Sequence, residues 1–285
     1  MITGIILSAV ALVVLLIATY TDFKTGEVPD WLSFSFIISA LGVRLIHSLV
    51  YSDWLYFLYG LIGFGVMYGF GLLIYYSRQW GGGDAKILMG LGAAFATAPF
   101  AYSGNFPYLL AIVANIFIAG GVYGLLWGFY VFFSRFSKTT KAVQDNLLRN
   151  KKQYMLMLAV SIAVLVSSFF FKGSSRIILM FIPILFIAYM MLYLFIKSTE
   201  SAGMYEKVSV SKLTEGDWIA NDVRVKGKLI CSKKDPGITK EQIKALKKAK
   251  IKSVVIKKGI KFLLALLVGT AVTLIFNNIV VLLFL

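Results

Sequence analysis

Long apolar stretches dominate this chain and constrain its fold more than any other feature. Hydrophobic residues make up 59% of the 285 residues, above the usual apolar fraction of soluble globular domains. Several stretches exceed the roughly 18 apolar residues that indicate a transmembrane helix. We interpret eight spans, at about 3–20, 31–50, 55–76, 85–100, 107–133, 154–171, 176–197 and 260–284. The fourth and sixth are short for a full crossing, so we expect an all-α polytopic membrane protein of about eight transmembrane helices, within a range of six to eight.

The positive charge of the chain is unevenly distributed and predicts its orientation. The net charge is +16, and basic residues concentrate between the fifth and sixth spans and in residues 198–259. By the positive-inside rule these segments are cytoplasmic. Loops 21–30 and 77–84 then share that side. The link between the sixth and seventh spans, with Lys172 and Arg176, falls on the outer side and is an exception to the rule. These two basic residues do not outweigh the many in the cytoplasmic segments.

The same charge bears on partners and cofactors. Cationic cytoplasmic segments attract anionic lipid headgroups, so we expect membrane lipids as partners and no nucleic acid. A single cysteine, Cys231, excludes an internal disulfide and a CxxC metal site. His47 is the one histidine and leaves no histidine cluster for a metal. With Arg44 it is expected to form an interfacial pair that extends towards headgroups.

Residues 198–259 differ in composition from their surroundings and predict a small cytoplasmic α+β module. Short strands are predicted at 208–210, 217–220, 223–225, 229–231 and 251–256, with a turn at 235–237. Thr239 and Gln242 form a capping-box pattern that predicts a helix start. The resulting domain organisation is a catalytic transmembrane core (1–133), a basic loop with additional transmembrane helices (134–197), the module (198–259) and a C-terminal transmembrane helix (260–285).

Two aspartates stand at the ends of predicted spans. Asp22 directly follows the first apolar stretch, and Asp84 ends the run Gly81-Gly82-Gly83-Asp84 before the fourth. Carboxylates at membrane spans are costly and usually functional. Both fall on the predicted cytoplasmic boundary, where they can form an acid–base dyad.

The three glycines before Asp84 predict a break in the helix, because each costs about 1 kcal/mol relative to alanine. Asp84 then begins the fourth span, where the helix dipole favours a charged carboxylate, and Asp22 ends the first, where it does not. Two adjacent carboxylates share one proton. We therefore expect Asp84 as the ionised base and Asp22 as the protonated acid.

Such a pair suits peptide hydrolysis. The charged partner draws a proton from water, and the neutral partner polarises the scissile carbonyl and protonates the leaving amine. This chemistry requires no metal and no organic cofactor. A purely structural interpretation fits the spacing equally well, with Asp22 a flanking loop residue and 81–84 a tight turn.

These motifs resemble those of a known family. Thr21-Asp22-Phe23-Lys24 with Val28-Pro29, followed by Gly81-Gly82-Gly83-Asp84-Ala85-Lys86, resembles the type IV prepilin peptidases, GxGD-type intramembrane aspartyl proteases, and especially the archaeal preflagellin peptidases. The resemblance covers roughly residues 1–130. The tail, with Gly237-Ile238-Thr239 and Lys258-Gly259-Ile260, is also similar to archaeal members.

The resemblance implies the reaction and its residues. Asp22 and Asp84 would be catalytic, and Gly81 and Gly83 would be the motif glycines. The substrate would be a prepilin-like or preflagellin (archaellin) precursor, which loses its short basic leader at the cytoplasmic face of an archaeal cell membrane. Glu27 and Asp30 share the Asp22 loop and can attract such a leader, or they can be solvated loop charges.

One departure from the family pattern and three rival interpretations accompany this prediction. Bacterial relatives that also N-methylate the new terminus carry a cysteine-rich segment, which this chain lacks, so we expect a peptidase without methyltransferase activity. An ion-coupled transporter or channel can use the same intramembrane carboxylates. Presenilin-like proteases share GxGD but carry a Pro-Ala-Leu motif that is absent here, and a membrane scaffold is a further, non-enzymatic possibility.

Overall fold

The computed structural model describes residues 2–100, 102, 107–225 and 227–277. The helices of these segments are α1 (Ile2–Thr25), α2 (Asp30–Tyr51), α3 (Trp54–Tyr76), α4 (Gly82–Phe95), α5 (Tyr108–Ser134), α6 (Phe136–Arg149), α7 (Lys151–Ser168), α8 (Ser174–Gly203), α9 (Lys240–Lys248) and α10 (Leu263–Phe276). The strands are β1 (Tyr205–Ser209), β2 (Trp218–Ile219), β3 (Val223–Val225), β4 (Lys228–Cys231) and β5 (Ser253–Lys257). Residues 278–284 of the last predicted span lie outside the described residues.

The apolar helices confirm the predicted fold class, an all-α polytopic membrane protein with a small α+β module. Each of the eight predicted spans coincides with a helix. Five of these helices, α1, α2, α3, α5 and α8, are long and apolar enough to cross a membrane. The described part of α10 is a shorter apolar helix, and α4 has only 14 residues. Many large apolar side chains of the long helices are exposed, which suits helices that face lipid.

The chain forms two compact units, Met1–Gly124 with Lys207–Leu285, and Leu125–Glu206. In the second unit, the basic segment after α5 is the amphipathic helix α6 rather than the expected loop. The segment contains no glycine or proline, the residues that disfavour a helix most. Arg135, which precedes the helix, donates a hydrogen bond to the Ala202 carbonyl of α8 at 2.8 Å. The proposed domain limits at 133 and 197 remain predictions.

In the first unit, α4 packs tightly between α2 and α3. The contact with α3 depends on two glycines, because a Cβ on Gly63 would lie 2.3 Å from the Gly92 carbonyl oxygen, and a Cβ on Gly92 equally near that of Gly63. The core around α4 also takes in α1, α5 and α10, and includes Leu15, Phe36, Ile87, Ile112 and Leu266. This packing fixes the position of α4 and therefore of its first turn.

Arg44 holds the opposite end of α4. It is fully buried and donates to the carbonyls of Tyr56 at 2.8 Å and Ala94 at 2.9 Å. The expectation that Arg44 extends towards headgroups is therefore wrong. The last carbonyls of a helix lack partners within it, and the guanidinium supplies donors where the C-terminal end of α4 needs them.

The α+β module, which runs from β1 to β5, has its own core. Its strands form a sheet in the order β1-β5-β2 and a separate β3-β4 hairpin. The predicted capping box is confirmed: Gln242 N–H donates to the Thr239 hydroxyl at 3.3 Å, and Thr239 N–H donates to the Gln242 side chain at 2.9 Å. Ile243 and Leu246 of α9 pack against Ile238 in this core.

Candidate active site

Asp22 lies in the last turn of α1. Gly26, with φ of +80°, ends the helix and donates its N–H to the Asp22 carbonyl at 2.9 Å. Glycine is favoured at this left-handed position because it has no Cβ. The Asp22 side chain is only 13% exposed, so the aspartate is not a freely solvated loop residue.

Asp84 lies in the first turn of α4. Its Oδ2 accepts a hydrogen bond from the Gly81 N–H at 3.1 Å, so the carboxylate caps its own helix. The expected break at residues 81–83 is displaced: the chain is irregular from Ser77 to Gly81, and Gly82 and Gly83 are already helical. The Asp84 cap explains the difference, because it satisfies an N–H that the helix leaves free.

Gly83 brings the α1–α2 connection against the start of α4. A Cβ on Gly83 would lie 2.8 Å from Cγ2 of Val28, which is too short for real atoms. At Gly82 the nearest neighbour of such a Cβ would be a ring atom of Tyr75 at 3.6 Å, an ordinary contact. A glycine is therefore required at position 83, where Val28 packs closely against α4, whereas position 82 has room for a Cβ atom.

Asp22 and Asp84 line the same cavity, whose volume is about 320 Å³. The other lining residues belong to two parts of the chain. The membrane helices and their connections contribute Gly26, Glu27, Val28, Tyr75, Gly81, Gly82, Gly83 and Lys86, and the α+β module contributes Thr214, Glu215, Gly216, Asp217 and Trp218. The two predicted catalytic residues are thus brought together, with both motif glycines beside them.

Lys261 is a site residue that the sequence analysis missed. Its Nζ lies 3.8 Å from Oδ1 of Asp22 and donates a hydrogen bond to the Asp22 backbone carbonyl. The next residue, Phe262, packs against Trp80 with ring centroids 4.3 Å apart and also packs against Gly120. This packing fixes Lys261. Its only sequence signal is its position just after the Lys258-Gly259-Ile260 run.

The two acidic residues predicted to contact a leader separate in the structure. Glu27 lines the cavity and its side chain faces solvent. Asp30 forms an ion pair with Lys86 and is not among the described cavity residues. Only Glu27 is therefore placed where a ligand in this cavity would meet it.

The arrangement can carry out acid–base chemistry. It provides two carboxylates, one positive charge beside one of them, and space for water and substrate, which are the elements of general acid–base hydrolysis. Within the described residues, no group of three or more histidine, cysteine or acidic side chains could hold a metal ion.

Comparison with known proteins shows which family the segment around this cavity resembles. Residues 9–136, which include both aspartates and the glycine motif, match the model of the type IV leader peptidase family. The chain is 31% identical over 115 residues to a preflagellin peptidase of Methanocaldococcus jannaschii, covering 36% of this chain and 49% of that protein. No solved structure matches.

A second relative extends the match. The chain is 22% identical over 166 residues to the prepilin peptidase EppA of Methanothermobacter thermautotrophicus, covering 54% of this chain and 42% of that protein. The chain thus spans about half the length of the curated relatives it matches. The predicted resemblance is confirmed: residues 9–136 are similar to the type IV leader peptidase family, and both archaeal relatives are prepilin or preflagellin peptidases by name.

Proposed function

We propose that the chain is a membrane-embedded aspartic endopeptidase of GxGD type. It removes the short basic leader from type IV prepilin-like or preflagellin precursors at the cytoplasmic face of an archaeal membrane. The observation that carries the proposal is that Asp22 and Asp84 line one cavity and both lie in residues 9–136, which match the family model. The names of the two archaeal relatives supply the class of substrate.

The mechanism follows from two carboxylates that share one proton. The ionised carboxylate takes a proton from a water molecule, and the water oxygen attacks the scissile carbonyl carbon. The protonated carboxyl polarises the carbonyl oxygen, and a proton passes to the leaving amine as the C–N bond breaks. The products are the leader with a free carboxylate and the mature chain with a free amine.

The contact of Lys261 with Asp22 supports the opposite assignment of acid and base to the two aspartates. The positive charge of Lys261 lies beside Asp22, and an opposite charge favours the ionised form of a carboxylate. We therefore assign the base to Asp22 and the shared proton to Asp84. The two carboxylates titrate as a unit, so the assignment means that the shared proton lies mostly on Asp84.

The α+β module bears on whether the protein also methylates the new N-terminus of its product. Its one cysteine, Cys231, is buried in the module core, and the sequence contains no CxxC pair. We propose a peptidase without N-methyltransferase activity. Incubation of the product with a methyl donor should then leave the mass of the new terminus unchanged.

Cleavage in isotopically labelled water tests the proposal directly. The purified protein in detergent is incubated in H₂¹⁸O with a precursor that has a lysine-rich leader before an apolar helix. We expect the released leader to carry one ¹⁸O at its new carboxyl terminus, because water is the nucleophile. A precursor that stays intact, as it would with a transporter or channel, would contradict the proposal.

A further inference from the structure

The α+β module contributes a wall of the cavity that contains the two aspartates. Residues 214–218, a segment with the sequence Thr-Glu-Gly-Asp-Trp, line the cavity together with Asp22 and Asp84. They follow the turn of 3-10 helix at Val210–Lys212 and end at the first residue of β2. We call this segment the module wall. The module therefore borders the space in which a substrate of the aspartates must lie.

Backbone hydrogen bonds hold the module wall in a fixed conformation. Gly216 N–H donates to the Ile238 carbonyl at 2.8 Å, and Ile238 N–H donates to the Asp217 carbonyl at 2.9 Å. The segment then enters β2, where Trp218 pairs with Lys257 of β5. A wall anchored on both sides requires little ordering when a ligand binds.

The module is also attached to the membrane helices near the dyad. Arg78, in the connection between α3 and α4, donates to the backbone carbonyl of Lys233 in the module. Lys261, which follows β5, contacts Asp22. These two attachments keep the module wall beside the cavity.

The described lining of the cavity is strongly acidic. Five of its side chains are carboxylates: Asp22, Glu27, Asp84, Glu215 and Asp217. Among the described lining residues only Lys86 is basic. Glu215 does have a partner, Lys240 at 3.3 Å, but both side chains are more than half exposed. Exposed pairs of this kind are weak, so Glu215 can exchange Lys240 for a ligand.

We propose that the module wall and Glu27 form a subsite for the basic residues of the leader. The wall supplies the carboxylate of Glu215 and the ring of Trp218, and lysine or arginine side chains bind both kinds of group. An anionic lipid headgroup has the wrong charge for this wall. The inference depends on the proposed function for the identity of the ligand, but the binding it predicts can be measured without cleavage.

A test compares two peptides and two variants. One peptide carries a lysine-rich leader before the apolar segment, and the other has glutamine at each of those lysines. In the Glu27→Gln/Glu215→Gln double variant, we expect KM for the lysine peptide to rise about tenfold, a change typical of losing contacts to charged groups. We expect kcat to stay within twofold and KM for the glutamine peptide to be unchanged. Glu241→Gln, an exposed glutamate of α9 away from the cavity, is the matched control and should behave as the original protein.

Binding to an inactive protein separates this inference from the proposed function. The Asp84→Asn variant, with and without the double substitution, is titrated with both peptides by fluorescence anisotropy. Preference for the lysine peptide that is lost with Glu27 and Glu215 supports the subsite even if no precursor is cleaved. Equal binding of the two peptides, or a preference that survives the double substitution, overturns it. Charge reversal by Glu215→Lys should transfer the preference to a peptide with a glutamate-rich leader.

Discussion

Lys261 and Asp22 are 239 positions apart in the chain, yet the Lys261 ammonium contacts both the carboxylate and the backbone carbonyl of Asp22. The contact joins the segment before α10 to the last turn of α1. A cation at the C-terminal end of a helix is favourable, because that end carries partial negative charge. Lys261 therefore stabilises the end of α1 and the charge on its aspartate together.

Replacement of Lys261 by methionine should impair the chemical step. Without the cation, Asp22 loses the charge that favours its ionised form and a contact that orients it. We expect kcat to fall about 10- to 100-fold, as for loss of a hydrogen bond to a charged group, with KM within twofold. Steady-state kinetics on a precursor peptide measure both values.

Two further variants show whether the effect of Lys261 is local. Lys261→Arg keeps the charge and should retain most of the activity. Lys247→Met removes an exposed lysine of α9 and should leave kcat unchanged. If Lys261→Met raises KM alone, the lysine binds substrate and does not position Asp22.

Substitutions at Gly82 and Gly83 should differ in a way that follows from their neighbours. Gly83→Ala places a methyl group 2.8 Å from Val28 and must push the α1–α2 connection away from α4. Gly82→Ala meets only ordinary contacts. We expect Gly83→Ala to lose at least tenfold in kcat/KM, because a displacement of about 1 Å can cost that much or more, and Gly82→Ala to retain activity.

A compensating substitution makes the glycine prediction specific. Val28→Gly removes both atoms that the new methyl group would strike, Cγ2 at 2.8 Å and Cβ at 2.9 Å, so the Gly83→Ala/Val28→Gly variant should recover activity relative to Gly83→Ala. No recovery would show that Gly83 acts through something other than its contact with Val28.

Loss of Arg44 should weaken the fold rather than the chemistry. Arg44→Met removes the hydrogen bond to the Tyr56 carbonyl and leaves the Ala94 carbonyl at the end of α4 without its donor. A buried unsatisfied group costs about 1–3 kcal/mol. We expect a clear decrease in melting temperature in detergent. Arg44→Lys should decrease it less, because an ammonium retains the charge but not the planar, forked donors. An unchanged melting temperature for Arg44→Met would contradict the role assigned to this arginine.

Cys231 provides a test of the module core. Burial raises the pKa of the Cys231 thiol, with a smaller contribution from the negative charge of Asp235. A higher pKa means less of the reactive thiolate at a given pH, so maleimide should label the native protein slowly at pH 8 and quickly after denaturation. Lys234→Cys in a Cys231→Ser background places the thiol at an exposed position and should label quickly. Rapid labelling of native Cys231 would show that the module is not packed as described.

Local sequence patterns predicted much of this structure. Thr239 and Gln242 specify a helix start within four residues, and the capping box forms as expected. The apolar stretches predicted the helices for a similar reason, because the length and hydropathy of a span depend only on neighbouring residues. The two aspartates were found because carboxylates are conspicuous at the ends of such spans.

Contacts between distant segments could not be predicted in the same way. Asp30 pairs with Lys86 and does not line the described cavity, and nothing in either local sequence indicates that pairing. The module wall at 214–218 reaches the cavity only because the module packs near the start of α4. Lys261 was missed because a lysine that follows a basic run looks like any other solvated charge until the fold brings it to Asp22.

Activity of the two single aspartate variants and the double variant tests the central claim most directly. Asp22→Asn, Asp84→Asn and the double variant are assayed for precursor cleavage, with melting temperatures to establish that each is folded. Residues that act as one catalytic unit have non-additive effects, so we predict that each single substitution abolishes cleavage and the double variant is no worse. Substantial cleavage by either folded single variant, or losses that simply multiply in the double variant, would contradict the claim that the two carboxylates together activate water.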